Sequence, residues 1–220
     1  LAANFLAIKT MLSFAILIDG GFAKRKLGTA QAPGVAGDFE RLIKRICDAP
    51  ELANQRLHRV YYYDSTPLES THEKPLKGGK VEFAREPVVA RSKQLFTQLA
   101  RLPMVAVRLG ELTFNGWTVK AKKLERADGN TLEIEVTDLK PSISQKGVDM
   151  RIGMDIAALT LKKQVQTIVL VTGDSDFVPA MKFARREGCH LYLVPLRHHI
   201  RESMFEHTDL VLNIDIAPAA

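Results

Sequence analysis

Short runs that are apolar at every position alternate along this chain with segments whose apolar residues recur at helical spacing. A strand apolar on both faces must be covered on both faces, so it belongs inside a parallel sheet flanked by helices. The strands read as Ser13–Ile18, Leu57–Tyr63, Met104–Leu109, Thr167–Val171, Cys189–Val194 and Leu210–Ile214. Between them, Asp38 caps a helix carrying Phe39, Leu42, Ile43, Ile46 and Cys47, and Pro87 opens another that includes Leu95, Phe96 and Leu99. Val148, Ile152, Ile156 and Leu159 mark a third helix. Phe177, Ala180, Met181 and Ala184 mark a fourth, closed by Gly188, and a short helix lies near Ile200–Phe205. Residues 23–37 and 64–80, broken by glycines and prolines, read as loops. The fold class is therefore α/β with a central, mostly parallel sheet.

Residues 111–139 break the alternation. Leu132, Ile134 and Val136 alternate with Glu133 and Glu135, the period of a half-exposed strand, and Asp128-Gly129 is a hairpin turn signal. This stretch reads as an inserted β-hairpin arm with Trp117 and Val119 on its first limb. Tyr61, Tyr62 and Tyr63 offer a stacking surface, but successive strand residues face opposite ways, so at least one belongs to the core.

Composition sets outer limits. A chain of 220 residues with 46% apolar content can bury a core and is not globally disordered. The apolar run Phe14–Ile18 stops at Asp19, far too short for a bilayer or a signal peptide. Cys47 and Cys189 make neither a disulfide framework nor a zinc spacing, which fits a reducing cytoplasm. The net charge of +6, from 31 basic and 25 acidic residues, is compatible with a polyanionic partner. Residues 1–10 read as an upstream or added segment and Met11 as the natural start of a domain spanning 11–220.

In parallel sheets, ligands bind beyond the carboxyl ends of the strands. Aspartates collect there: Asp19 after the first strand, Asp64 after the second, Asp174 and Asp176 after the strand at Thr167, and Asp149 where a helix begins, with Asp155 further along it. Converging carboxylates repel one another, and a hard divalent cation relieves that repulsion; oxygen donors suit Mg²⁺ or Mn²⁺. Each aspartate also has a plainer explanation. Asp176 can cap the next helix, Asp149 can stabilise its own helix start, and Asp155 can pair with Arg151. Asp149 and Asp155 are six residues apart, which is not one helical face.

Four pieces occur together in order: Ile-Leu-Ile-Asp-Gly-Gly-Phe ending at Phe22, Lys-Gly-Val-Asp at 146–149, the helix with Asp155, and Val-Leu-Val-Thr-Gly-Asp-Ser-Asp-Phe ending at Phe177. With them the chain resembles the NYN domain in its LabA-like branch, relatives of the PIN and FLAP nuclease domains. The resemblance implies a PIN-like three-layer α/β/α domain and a metal-dependent ribonuclease site. By motif, Asp19, Asp149, Asp155 and Asp174 would be catalytic acidic ligands of Mg²⁺ or Mn²⁺, with Asp176 at the rim of the metal site. RNA would be cut to products with a 5′-phosphate. Many relatives carry asparagine three residues after the first aspartate; here that place is Phe22.

Near these acids lie basic residues suited to a nucleic-acid backbone: Lys24, Arg25, Lys146, Arg197 and Arg201, with Lys120, Lys122, Lys123 and Arg126 on the arm. The expected partner is single-stranded or structured RNA held with low specificity, with no membrane contact and with the arm as a surface for a homodimer. Histidines 198 and 199 read as exposed rather than as ligands. Gly21 stands where a haloacid dehalogenase-type enzyme needs a second aspartate. Asp19 stands where a Toprim domain needs glutamate. The alternative reading is a catalytically weak or inactive domain of the same family that binds RNA or protein as a regulatory module.

Overall fold

The computed structural model describes residues 11–216 apart from Ala30 and Ala127. The expectation for residues 1–10 therefore lies outside the described residues. In chain order the elements are β1 (Leu12–Asp19), α1 (Gly20–Leu27), α2 (Ala36–Cys47), β2 (Gln55–Thr66), β3 (Thr71–Glu73), β4 (Lys80–Glu82), α3 (Pro87–Leu99) and β5 (Val105–Val119). There follow α4 (Ala121–Glu125), β6 (Leu139–Lys146), α5 (Val148–Leu161), β7 (Thr167–Val171), α6 (Val178–Arg186), β8 (His190–Val194), α7 (Glu202–Glu206) and β9 (Leu210–Val211).

Seven strands form one sheet in the order β6-β5-β2-β1-β7-β8-β9, parallel except for the antiparallel β5–β6 pair. β1 is central and feeds both layers. Phe14, Ile16 and Ile18 point to the core shared with α1, α2 and α3, while Ala15 and Leu17 point to the core shared with α5 and α6. Each of the larger side chains, fully buried, contributes roughly 1.5–3 kcal/mol relative to exposure, so β1 and β7 anchor the whole edge where their carboxyl ends lie. This is the expected three-layer α/β arrangement. All three tyrosines of the 61–63 run are buried, Tyr62 on one face and Tyr61 and Tyr63 on the other, which removes them as a stacking surface for a ligand.

Three local readings are corrected. Residues 23–27 are helical rather than loop. Asp19 accepts from Phe22 N at 3.0 Å and starts α1 directly after the strand. The stretch 64–80 holds the β3–β4 hairpin, whose His72 stacks on Phe114 of β5 with ring centroids 3.8 Å apart. The arm exists, but its return limb is β6, pairing Glu111 with Lys146 through Val119 with Leu139; Leu132–Glu135 is not a strand. Pro141 is tolerated because β6 is the outer strand of the sheet. The arm's own cations are partly consumed within it: Lys123 pairs with Asp138 at 3.0 Å and Lys120 Nζ donates to Thr137 O at 2.6 Å. Among the described residues no helix is long and apolar enough to cross a membrane.

Candidate active site

Asp19, the last residue of β1, is half-buried. Its Oδ1 accepts from Phe22 N and its Oδ2 accepts from Thr172 Oγ1 at 3.2 Å. Thr172 directly follows β7, is wholly buried, and its hydroxyl oxygen also accepts from Asp174 N at 3.2 Å. One hydroxyl thus joins the tip of β1 to the turn after β7. Asp174 in turn accepts at Oδ1 from Asp176 N at 2.9 Å and caps the short 3₁₀ turn Ser175–Phe177. The cap expected of Asp176 belongs to Asp174. Asp149 stands in the first turn of α5, where the helix start favours a carboxylate.

The acids are near enough to act on one another's charge. Burial raises the Asp19 carboxyl above its ordinary value, and the Asp149 charge adds to the rise; the Phe22 N–H, the Thr172 hydroxyl and the Arg25 charge oppose it. Partial desolvation raises Asp149, and the charges of Asp174 and Asp176 raise it further. Among the described residues none of the four enters an ion pair. Asp174 and Asp176 are exposed, so the place is open to solvent.

Asp155 is not brought to this cluster. Six residues along a helix is about 9 Å of rise and most of two turns, which turns its side chain to another direction. There it accepts from Tyr63 Oη at 2.8 Å and pairs with Arg108 Nε at 2.7 Å. Arg108 also lies over the Tyr61 ring, 5.1 Å from its centroid. The structure thus sets Asp155, expected as a metal ligand, in an ion pair of the chain's own that balances its charge. The pairing with Arg151 is corrected, because Arg151 Nη1 donates to Gly147 O instead.

Asp64, at the end of β2, is buried and fully engaged. It accepts from Tyr62 Oη and Ser65 N, each at 2.8 Å, and pairs with Lys24 Nζ at 2.5 Å. Lys24 is therefore bound to the protein rather than offered to a phosphate. Arg197 is held by Asp215. Lys146 and Arg201 are exposed, with Lys146 opposite Glu111 on the arm and Arg201 preceding α7. Arg25 is the basic residue that acts on the acids, since its charge lowers the Asp19 carboxyl. With Lys26 and His199 it also surrounds His198, whose imidazole is held below its ordinary value by partial desolvation and by these cations.

Close approach fixes the frame. A Cβ at Gly20 would stand 2.5 Å from the Tyr62 ring and 2.6 Å from Tyr63 O, and one at Gly173 would meet His198 at 2.3 Å and Phe22 at 2.7 Å. Phe22, in the place where relatives carry asparagine, is a buried wall against this turn, edge-on to His198 at 5.7 Å. Thr172 was not singled out from the sequence. The signal was present in its position, a hydroxyl between a buried strand and an acidic turn.

The donors are all oxygen, as Mg²⁺ and Mn²⁺ prefer. Among the described residues no three His, Cys, Asp or Glu side chains are drawn together tightly enough to grip one ion. The chemistry of the donors, rather than their spacing, agrees with Mg²⁺, an ion that keeps several waters and takes one or two protein carboxylates.

The chain matches the family described as NYN domain over residues 14–214. No curated protein sequence matches it. Among solved structures it is similar to a protein of unknown function from Vibrio parahaemolyticus RIMD 2210633. The two are 14% identical with a TM-score of 0.53, covering 94% of this chain and 95% of that one, a likeness of fold.

Proposed function

The chain belongs to the NYN domain family, a nuclease-type family, and from that premise we propose that it is a metal-dependent ribonuclease of the LabA-like branch. The observation that carries the reading is the group Asp19, Asp149, Asp174 and Asp176. Burial raises the Asp19 and Asp149 carboxyls, the charges of neighbouring acids in the group raise them further, and no ion pair among the described residues balances the group. Asp19, Asp149 and Asp174 would hold Mg²⁺ or Mn²⁺, with Asp176 at the solvent side. When bound, such an ion polarises a phosphate oxygen and activates water near neutral pH. Thr172 fixes the Asp19 carboxylate and the Asp174 backbone relative to each other. Arg25 supplies positive charge beside the acids for an incoming phosphodiester. The two thiols, Cys47 and Cys189, are unpaired, in keeping with a reducing cytoplasmic setting.

The test is cleavage of labelled single-stranded RNA with Mn²⁺. Wild type should give products with 5′-phosphate ends, and Asp174→Asn should lose about 100-fold or more. Equal cleavage by both proteins would refute the assignment. Two observations favour the second reading, an RNA- or protein-binding module of low activity. Phe22 replaces a polar group that could assist there, and the carboxylates stand apart. RNA binding by wild type without mutant-sensitive cleavage would select it.

A further inference from the structure

A groove of about 830 Å³ begins at Gly21 and runs between α3, the segment before α2, and the base of the arm. It is within the size range of small-ligand sites. Val35, Leu68, Val89, Leu95, Leu112 and Ile143 make it largely apolar, and Ile143 is 40% exposed, so apolar surface faces the space. The amide side chains of Gln94, Gln98 and Gln145 interrupt that wall with donors and acceptors. Arg25 and Arg91 also line it. Gly21 marks the end of the groove nearest the acids: a Cβ on it would lie 3.4 Å from Asp19 Oδ1.

We propose that this groove takes an unstacked nucleobase of a single-stranded nucleic acid whose phosphate lies at Asp19. The inference deepens the nuclease reading and rests on it for the position of that phosphate. A base has two apolar faces and a hydrogen-bonding edge, which is the division of the groove into aliphatic walls and amides. The nucleotide's phosphates are anionic, which matches the guanidinium groups of Arg25 and Arg91. A duplex keeps its bases stacked inside and offers none to the groove, so the site selects single strands.

The test needs no cleavage. A short fluorescent RNA strand and an abasic strand of equal length and charge are titrated in chelator against the full chain. The comparison is repeated with Ser92→Trp, which fills the groove from α3, and Ile143→Glu, which charges its arm side. Both replaced residues line the groove and neither is buried, so the fold should be kept. Wild type should bind the base-bearing strand about tenfold more tightly than the abasic one, and each variant should bring the two within about twofold. Equal binding of both strands by wild type, or a tenfold preference that survives in both variants, would overturn the proposal. Cleavage with Mn²⁺ alongside equal binding would remove the groove and leave the nuclease reading intact. A base-dependent difference without cleavage would support the groove and remove the nuclease.

Discussion

Two sets of aspartates in this molecule are treated in opposite ways. Asp64 and Asp155 each have a cation and a tyrosine hydroxyl of the chain's own: Lys24 with Tyr62, and Arg108 with Tyr63. Asp19, Asp149, Asp174 and Asp176 have hydrogen bonds from backbone and Thr172 at most, and they repel one another. The first set is complete without a ligand and holds the fold. The second has an electrostatic cost that an added cation relieves. A shared residue type does not make a site, and on the proposed reading the lack of an internal partner does.

The contrast is sharpest where an internal partner is removed. Lys24→Met leaves the buried Asp64 carboxylate unpaired and should destabilise the protein by about 3 kcal/mol, read from denaturant unfolding without metal. A cost near zero would mean that Asp64 had other balance, and the division between the two sets would blur. Supplying the missing partner should act in the other direction. Mn²⁺ at about 100 times its Kd should stabilise wild type by about 2.7 kcal/mol, and Asp149→Asn should abolish most of that shift while Asp155→Asn keeps it. If Asp155→Asn removes the shift instead, the assignment of Asp155 to the structural set fails. Arg108→Ala exposes a half-open pair and should cost only about 1 kcal/mol, with RNA cleavage kept within about twofold, measured by melting and by the same cleavage assay.

The smallest effect is a pH dependence. Asp19 and Asp149 have folded values above 3.8, so the folded state holds protons that the unfolded chain has released. Their contribution to metal-free stability is therefore lost as pH rises from about 3.8 through the raised folded values. Asp149→Asn should flatten that part of the profile and raise metal-free stability at neutral pH by less than about 0.5 kcal/mol, a change that thermal melting across pH detects. A steeper profile in the variant would contradict the sign.

The sheet was legible because buried parallel strands cannot hide. Phe14–Ile18 and Thr167–Val171 are apolar on both faces, and their flanking helices carry the matching stripe. What escaped notice had weak or misleading patterns. α1 begins with two glycines and carries three basic residues, so its composition reads as loop, and its start depends on the Asp19 cap. The β3–β4 pair is three residues a side and is held by aromatic contacts with Phe114 and by Trp117 Nε1 donating to Glu73 O at 2.8 Å, partners distant in sequence. The alternation at Leu132–Val136 resembles a strand but lies beside the real limb, which contains Pro141. Asp19, Asp149 and Asp174 could be gathered from strand ends and motif order. That Asp155 and Lys24 were already spoken for could not, because Arg108 and Asp64 sit on strands whose register only the fold reveals. The bridging role of Thr172 carries no charge signal at all.

β1 and β7 lie side by side, pairing Phe14 with Thr167 through Ile18 with Val171, although some 150 residues separate them along the chain. A ribosome releases Asp19 early and Asp174 late. For most of synthesis the growing polypeptide carries the first acid without its companions, and the long loop between them closes only near the end. Whatever chemistry these acids carry out together, a half-made copy cannot carry it out.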